Sequence, residues 1–144
     1  MQYTLEQWRT LGNTIKLRGH EIFLIDSGGD KPVLVLAHGY PTSSWDLGDI
    51  WHELCEHFRV LVIDFLGLGF SAKPWPYKYS ILEQADLLKA AMQHCGVEQA
   101  HVLAHDYGDT VAQELLARDN ARKDKNSWDK NSSQIIHGHP PFSK

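Results

Sequence analysis

Several absences limit what this chain of 144 residues can be. It has only two cysteines, Cys55 and Cys95, and their spacing fits neither a metal site nor a redox motif. We therefore expect reduced, half-buried thiols in a cytoplasmic protein. No apolar run approaches the roughly 20 residues that are needed to cross a bilayer. The N-terminus also lacks the basic start and apolar stretch of a signal peptide, so the sequence predicts neither a membrane span nor export.

Positive charge is scarce as well. Lysine and arginine number 14 against 18 aspartates and glutamates, which gives a net charge of -4 and no basic footprint for nucleic acid. The segment Gly67-Leu68-Gly69 resembles a dinucleotide fingerprint, but Lys73-Pro74 prevents the helix that this fingerprint must open. No histidine or cysteine spacing indicates a metal. We expect no nucleic-acid partner, no cofactor and no metal site.

The composition that remains, 42% hydrophobic and 22% charged, suits one globular domain. Apolar or alternating runs rich in β-branched residues predict strands at 14–18, 21–25, 33–37, 59–64 and 100–104. Apolar residues at helical spacing predict helices behind Thr42-Ser43-Ser44, behind Ser80 and behind Asp106. Strands that alternate with helices predict an α/β fold with a mostly parallel sheet and right-handed crossovers.

The character of the chain changes near Asp119, beyond which it is charged and rich in asparagine and serine. We therefore divide it into an ordered region, 1–118, and a polar region, 119–144, that we expect to be a frayed helix end followed by a largely disordered tail. His137 and His139 fall in this tail beside two prolines and are predicted to be solvated.

A candidate nucleophile lies in Ala104-His105-Asp106-Tyr107-Gly108. This segment follows a predicted strand, opens a predicted helix and has a small residue two positions to each side of Asp106, the pattern of a strained nucleophile turn. The usual nucleophile on such a turn is serine, but the chain contains no Gly-x-Ser-x-Gly. A carboxylate is already ionised at neutral pH and suits displacement at an alkyl carbon. The alternative is that Asp106 only caps the helix that follows it.

Two further segments occur where such a fold would need them. His38-Gly39-Tyr40-Pro41 follows the most apolar strand, and a Gly-rich loop from Asp64 to Pro74 follows the next. The N–H groups of Tyr40 and Tyr107 are the natural pair of oxyanion donors. Gly39 is counted among the site residues with them, and His38 is expected to orient the oxyanion segment. An ordinary strand-end turn is the alternative interpretation of the first segment.

Together these three segments resemble the α/β-hydrolases that use an aspartate nucleophile, the epoxide hydrolase and haloalkane dehalogenase group. The resemblance covers roughly residues 5 to 118. It implies the N-terminal portion of an α/β-hydrolase fold, with a mostly parallel sheet flanked by helices and with the cap domain and C-terminal strands absent. It further implies an alkyl-enzyme ester on Asp106 and a small organic substrate of the epoxide, ester or alkyl halide class.

The chain departs from this group at two positions. Dehalogenases carry tryptophan after the nucleophile and often asparagine after His-Gly, whereas Tyr107 and Tyr40 occupy those positions here, which argues against halide binding. The group also places its catalytic acid and histidine far downstream, beyond the end of this sequence. We expect a truncated form that traps substrate once without turnover. A non-catalytic relative that acts as a binding or scaffold protein is the alternative.

Overall fold

The computed structural model describes residues 2–125 and 135–137. Strands and helices alternate along the chain, with a short 3-10 helix before the second α-helix. The α-helices are α1 (Leu5–Thr10), α2 (Gly48–His57), α3 (Ile81–His94) and α4 (Tyr107–Lys125). The strands are β1 (Asn13–Leu17), β2 (His20–Asp26), β3 (Val33–Ala37), β4 (Arg59–Ile63), β5 (His101–Ala104) and β6 (Ile135–His137).

The six strands form one sheet in the order β1-β2-β4-β3-β5-β6. The four strands β4, β3, β5 and β6 run parallel to one another. Strands β1 and β2 form an antiparallel hairpin, and β2 also pairs antiparallel with β4. The predicted mostly parallel α/β fold is therefore confirmed. Both strands of this hairpin were predicted, but their antiparallel pairing was not, although a two-residue turn at Arg18 and Gly19, both with positive φ, joins them.

The parallel centre of the sheet is buried on both faces. Successive residues of β3 point to opposite sides, so Val35 packs toward α3 and α4 while Leu34 and Leu36 pack toward α1 and α2. This two-sided burial explains why β3 and β4 are uninterrupted apolar runs. Both helical layers hold the carboxyl ends of the central strands in a fixed arrangement.

The helix starts agree with the sequence signals in two places. Ser80 caps α3 by accepting a hydrogen bond from the N–H of Glu83, and Ser43 caps the 3-10 helix that precedes α2. Helix α1 was not predicted, although Thr4 and Gln7 form a capping box at its start. It has six residues and buries only Trp8, which is too little for an apolar periodicity to show.

The C-terminal region was expected to begin with a frayed helix end after residue 118. Helix α4 continues past that point and ends at Lys125. His137, expected to be solvated, belongs to β6, whose backbone pairs with Val102 to Ala104 of β5. Strand β6 therefore lies along the edge of β5 that β3 does not occupy. The predictions for His139 and for disorder in the tail concern residues outside the described ones. No helix among the described residues is long and apolar enough to cross a membrane.

Candidate active site

Three segments that are distant in sequence meet at one edge of the sheet. Because β3, β4 and β5 are parallel, their carboxyl ends lie side by side, and each continues into one of the predicted functional segments. Residues 38–41 follow β3, the loop from Asp64 follows β4, and His105 to Gly108 follow β5. This is the edge at which parallel α/β folds place their ligand sites.

The turn around Asp106 has the strained geometry that the pattern predicts. Asp106 has φ of 54°, in the left-handed region, where a residue with a side chain is uncommon. The N–H of His105 still donates to the carbonyl of Ala37 at 3.0 Å, so the strand ladder continues up to the turn. A side chain at Gly108 would place its Cβ 2.2 Å from that same carbonyl oxygen. The small residue at 108 is therefore a steric requirement.

The carboxylate of Asp106 contacts the segment that follows β3. The main-chain N–H of Tyr40 donates to Oδ1 of Asp106 at 2.9 Å. Hydrogen bonds from the N–H groups of Tyr40 and Tyr107, with a smaller contribution from the charge of His105, hold the pKa of the Asp106 carboxyl below its usual value. An N-cap has extended backbone dihedrals, so the positive φ of Asp106 does not fit the alternative in which it only caps α4.

His38 is buried beneath this turn and has both ring nitrogens engaged. Its Nε2 accepts a hydrogen bond from the N–H of Phe65 at 3.0 Å, which leaves Nδ1 to carry the proton and donate to the carbonyl of Gly39 at 2.8 Å. Burial lowers the pKa of His38, which favours this neutral form. His38 thus links the segment after β3 to the loop after β4 and does not contact the Asp106 carboxylate through either nitrogen.

Gly39 and Tyr40 lie directly against the turn. A Cβ on Gly39 would lie 3.1 Å from Cβ of Asp106 and 3.2 Å from the ring of His105, so only glycine fits without displacement. The Tyr40 side chain is 67% exposed. The structure therefore brings together all five predicted site residues: Asp106, Tyr107 and Tyr40 at the carboxylate, with Gly39 and His38 behind them.

Two buried polar residues that support the site were not identified from the sequence. The carboxylate of Asp64 accepts hydrogen bonds of 2.8 Å from the N–H groups of Ser44 and Phe70. The amide of Gln84 bonds both main-chain groups of Leu66, at 3.0 and 2.9 Å. Gln84 is a polar residue within the apolar face of α3, which was a signal that it has a specific partner. Both residues fix the loop that contacts His38.

No group of three or more His, Cys, Asp or Glu side chains within residues 2–125 and 135–137 could hold a metal ion. Cys55 and Cys95 are free and half-buried. At the carboxyl edge of the sheet, the Asp106 carboxylate is exposed to solvent while the main-chain N–H groups of Tyr40 and Tyr107 bind it. The arrangement therefore holds an anion that a ligand can reach.

Comparison with known proteins matches residues 32–125 to the family described as alpha/beta hydrolase fold. The mesoderm-specific transcript homolog protein of Bos taurus is 48% identical over 120 residues, which are 79% of this chain and 36% of that protein. Haloalkane dehalogenase 2 of Mycobacterium bovis is 33% identical over 91 residues, 63% of this chain and 32% of the relative. The chain spans about a third of the length of these relatives.

Solved structures show the same architecture. An alpha/beta hydrolase fold protein from Burkholderia ambifaria superposes with a TM-score of 0.70 at 34% identity, over 76% of this chain and 40% of that chain. Epoxide hydrolase VrEH1 from Vigna radiata superposes with a TM-score of 0.66 at 24% identity, over 74% and 35% of the two chains, and this likeness shows the fold alone. In both cases the matched part is a minority of the larger protein.

Proposed function

The chain belongs to the alpha/beta hydrolase fold family, and from that premise we propose that Asp106 is a nucleophile that attacks an alkyl carbon of a small organic electrophile. The electrophile is of the epoxide or alkyl halide class, and the product is an alkyl ester of the Asp106 carboxyl. A carboxylic ester, the third class that the resemblance implies, would react at its acyl carbon and give an anhydride instead, so it is not part of the proposal. The name of the haloalkane dehalogenase relative supports the proposed class of substrate.

The observation that carries the proposal is the way in which the Asp106 carboxylate is held. The N–H of Tyr40 donates to Oδ1 at 2.9 Å and the N–H of Tyr107 also binds the carboxylate, while the side chain as a whole remains exposed. A carbon electrophile can then approach the carboxylate from solvent. Fixing a reactant in this way lowers the entropic cost of reaching the reactive geometry.

The reaction at an epoxide balances as follows. An oxygen of Asp106 forms a bond to a ring carbon, the bond between that carbon and the epoxide oxygen breaks, and the released alkoxide takes a proton from water. No external base is needed for this step, because the carboxyl is already an anion. The N–H groups of Tyr40 and Tyr107 then face the carbonyl oxygen of the ester, where they would stabilise negative charge in any later hydrolysis.

The proposal is restricted to ester formation. His38 lies behind the turn, and both of its ring nitrogens are engaged with Phe65 and Gly39. It is therefore not available to activate water. We assign no other residue to the second step.

Intact-mass spectrometry tests the proposal. We expect incubation with 1,2-epoxyhexane to add one reagent mass to the wild-type chain, and peptide mapping to locate it on Asp106. Asp106→Asn should remove this adduct, whereas Asp109→Asn, which alters a carboxyl one turn along α4, should retain it. An equal adduct on Asp106→Asn would contradict the proposal and favour a non-catalytic binding protein.

The two thiols are the competing nucleophiles in this experiment. Burial raises the pKa of Cys55, and burial together with the charge of Asp26 raises the pKa of Cys95 to about 11. Little thiolate is then present at pH 7. The peptide map separates any residual cysteine modification from the ester, because Cys95 and Asp106 fall in different peptides when the chain is cut between them.

A further inference from the structure

A row of four aromatic rings passes beside the candidate nucleophile. The ring centroids of His38 and Phe65 are 4.7 Å apart, those of Phe65 and Tyr107 5.6 Å, and those of Tyr107 and Tyr40 6.3 Å. His38 and Phe65 are fully buried, whereas Tyr40 is 67% exposed. The row therefore begins in the core and ends at the surface with a ring that has an open side.

The position of Tyr40 relative to Asp106 is fixed by the backbone. The N–H of Tyr40 donates to Oδ1 of Asp106 at 2.9 Å, so the Tyr40 side chain branches from a residue that touches the carboxylate. The other aromatic side chain next to the nucleophile, Tyr107, has its ring edge-on to Phe65 and is partly covered. Among the residues of this row, Tyr40 is the one with substantial apolar area left for a ligand.

The charge at the site restricts the ligand further. Hydrogen bonds from Tyr40 and Tyr107 keep the pKa of Asp106 low, so its carboxyl is an anion. This negative charge would repel an anionic substrate. The site therefore fits a neutral molecule with a flat apolar substituent next to its electrophilic carbon. The Asp106 anion would attack the carbon, and the Tyr40 ring would contact the substituent. Stacked or edge-to-face aromatic contacts are favourable beyond the area that they bury.

We propose that Tyr40 is a specificity-determining residue that binds an aryl group carried by the electrophile, through contact with its exposed ring. This inference rests on the proposed function of Asp106 and names the substrate class more narrowly, as electrophiles with an aryl group on or beside the reacting carbon. The hydroxyl of Tyr40 has no part in it. Tyr40→Phe should therefore behave as the wild type does in selectivity, and Tyr40→Leu should not.

The test compares styrene oxide with cyclohexyloxirane, which has a similar size but a saturated ring. The rate of ester formation on Asp106 is measured for both reagents by intact mass in wild type, Tyr40→Phe and Tyr40→Leu. Dividing the rate ratio of each variant by that of the wild type cancels the intrinsic difference in reactivity. We expect the aryl preference to fall about two- to twelve-fold in Tyr40→Leu, the range that one aromatic contact supplies. Trp75→Leu removes an 88% exposed ring from another loop and should leave the ratio unchanged.

A second measurement does not need the covalent step. The affinities of 1-phenylethane-1,2-diol and 1-cyclohexylethane-1,2-diol are compared by NMR titration in wild type and Tyr40→Leu. We expect a preference for the phenyl compound that is lost in the variant. If no reagent modifies Asp106, the proposed function fails while the diol comparison still decides the role of Tyr40. An unchanged ratio in Tyr40→Leu, or an equal loss in Trp75→Leu, overturns the inference.

Discussion

The Asp106 side chain combines exposure to solvent with hydrogen bonds from two main-chain N–H groups. Because water solvates the carboxylate, its charge needs no countercharge beside it. The N–H groups of Tyr40 and Tyr107 favour the ionised form, and this favours reactivity over a wide pH range because the attacking species is the anion. A serine on the same turn would depend on a separate base.

The first prediction concerns this pH range. Since the folded pKa of Asp106 lies below the ordinary value of about 3.9, the anion persists at every pH above that value. The rate of ester formation should therefore be flat from pH 8 to pH 5 and fall only below about pH 4. Mass-spectrometric rates with 1,2-epoxyhexane across this range would check it. A midpoint above pH 5 would show that another group controls the reaction.

A second prediction concerns His38, which lies in the core, and the pH dependence of stability. Its folded pKa is lowered by burial, so the unfolded chain takes up a proton on this residue at a higher pH than the folded chain does. The stability that neutral His38 contributes is fully present above about pH 6.5 and is lost as the pH falls below it. We expect up to about 1.4 kcal/mol of unfolding free energy to be lost per pH unit there.

Urea unfolding at pH 7.5 and pH 5.5 measures this effect, with His38→Asn as the comparison. The asparagine variant should be less stable at pH 7.5, because Phe65 and Gly39 lose hydrogen bonds. Its stability should also depend less on pH than that of the wild type. Equal pH dependence in the two chains would assign the titration to other groups.

At the scale of the elements, the turn between β5 and α4 has no room for a side chain at Gly108. The Cβ of an alanine at 108 would lie 2.2 Å from the carbonyl oxygen of Ala37 and 2.5 Å from its carbon, both of which are main-chain atoms of β3. Neither can move without breaking the ladder to β5. We expect Gly108→Ala to lower the unfolding free energy by about 3 kcal/mol or more.

Gly28→Ala is the matched control for that variant. Gly28 has φ of 71°, but nothing lies within 4 Å of a Cβ at that position. Its substitution should cost only the conformational strain of about 1–2 kcal/mol. Urea denaturation of both variants tests the order. A Gly108→Ala chain as stable as Gly28→Ala would mean that the turn can open.

Helix α1 is a second element that depends on one residue. The Trp8 side chain is fully buried, meets the ring of Trp51 edge-on at 5.1 Å and donates from Nε1 to Oγ of Ser44 at 2.9 Å. Trp8→Ala should therefore cost about 3–5 kcal/mol. The exposed Trp75 provides the control, since Trp75→Ala should change stability by less than about 0.5 kcal/mol. Thermal unfolding of both variants distinguishes a packed α1 from a peripheral one.

At the scale of the whole molecule, the sequence was informative where a pattern is local. The apolar runs of β3 and β4 and the cap at Ser80 have short-range causes, and the small residues around Asp106 form a short motif, so these features were predicted. The order of strands, the buried Asp64 and the clamp formed by Gln84 depend on contacts between distant segments. No periodicity within one element shows such contacts, so these features required the structure.

The sheet edge gives the last prediction. The ladder between β5 and β6 pairs Leu103 with Ile136, and it covers a strand edge that would otherwise be open to other chains. Ile136→Pro removes a main-chain N–H and fixes φ near about −65°, which a regular strand does not adopt, whereas Ile136→Val keeps the N–H and the β-branched shape. We expect the proline variant alone to melt a few degrees lower, at about 2–4 °C per kcal/mol lost, and to scatter more light on standing. If the two variants melt and scatter alike, the β5–β6 pairing contributes nothing to stability or solubility, and the sheet is held by its central strands alone.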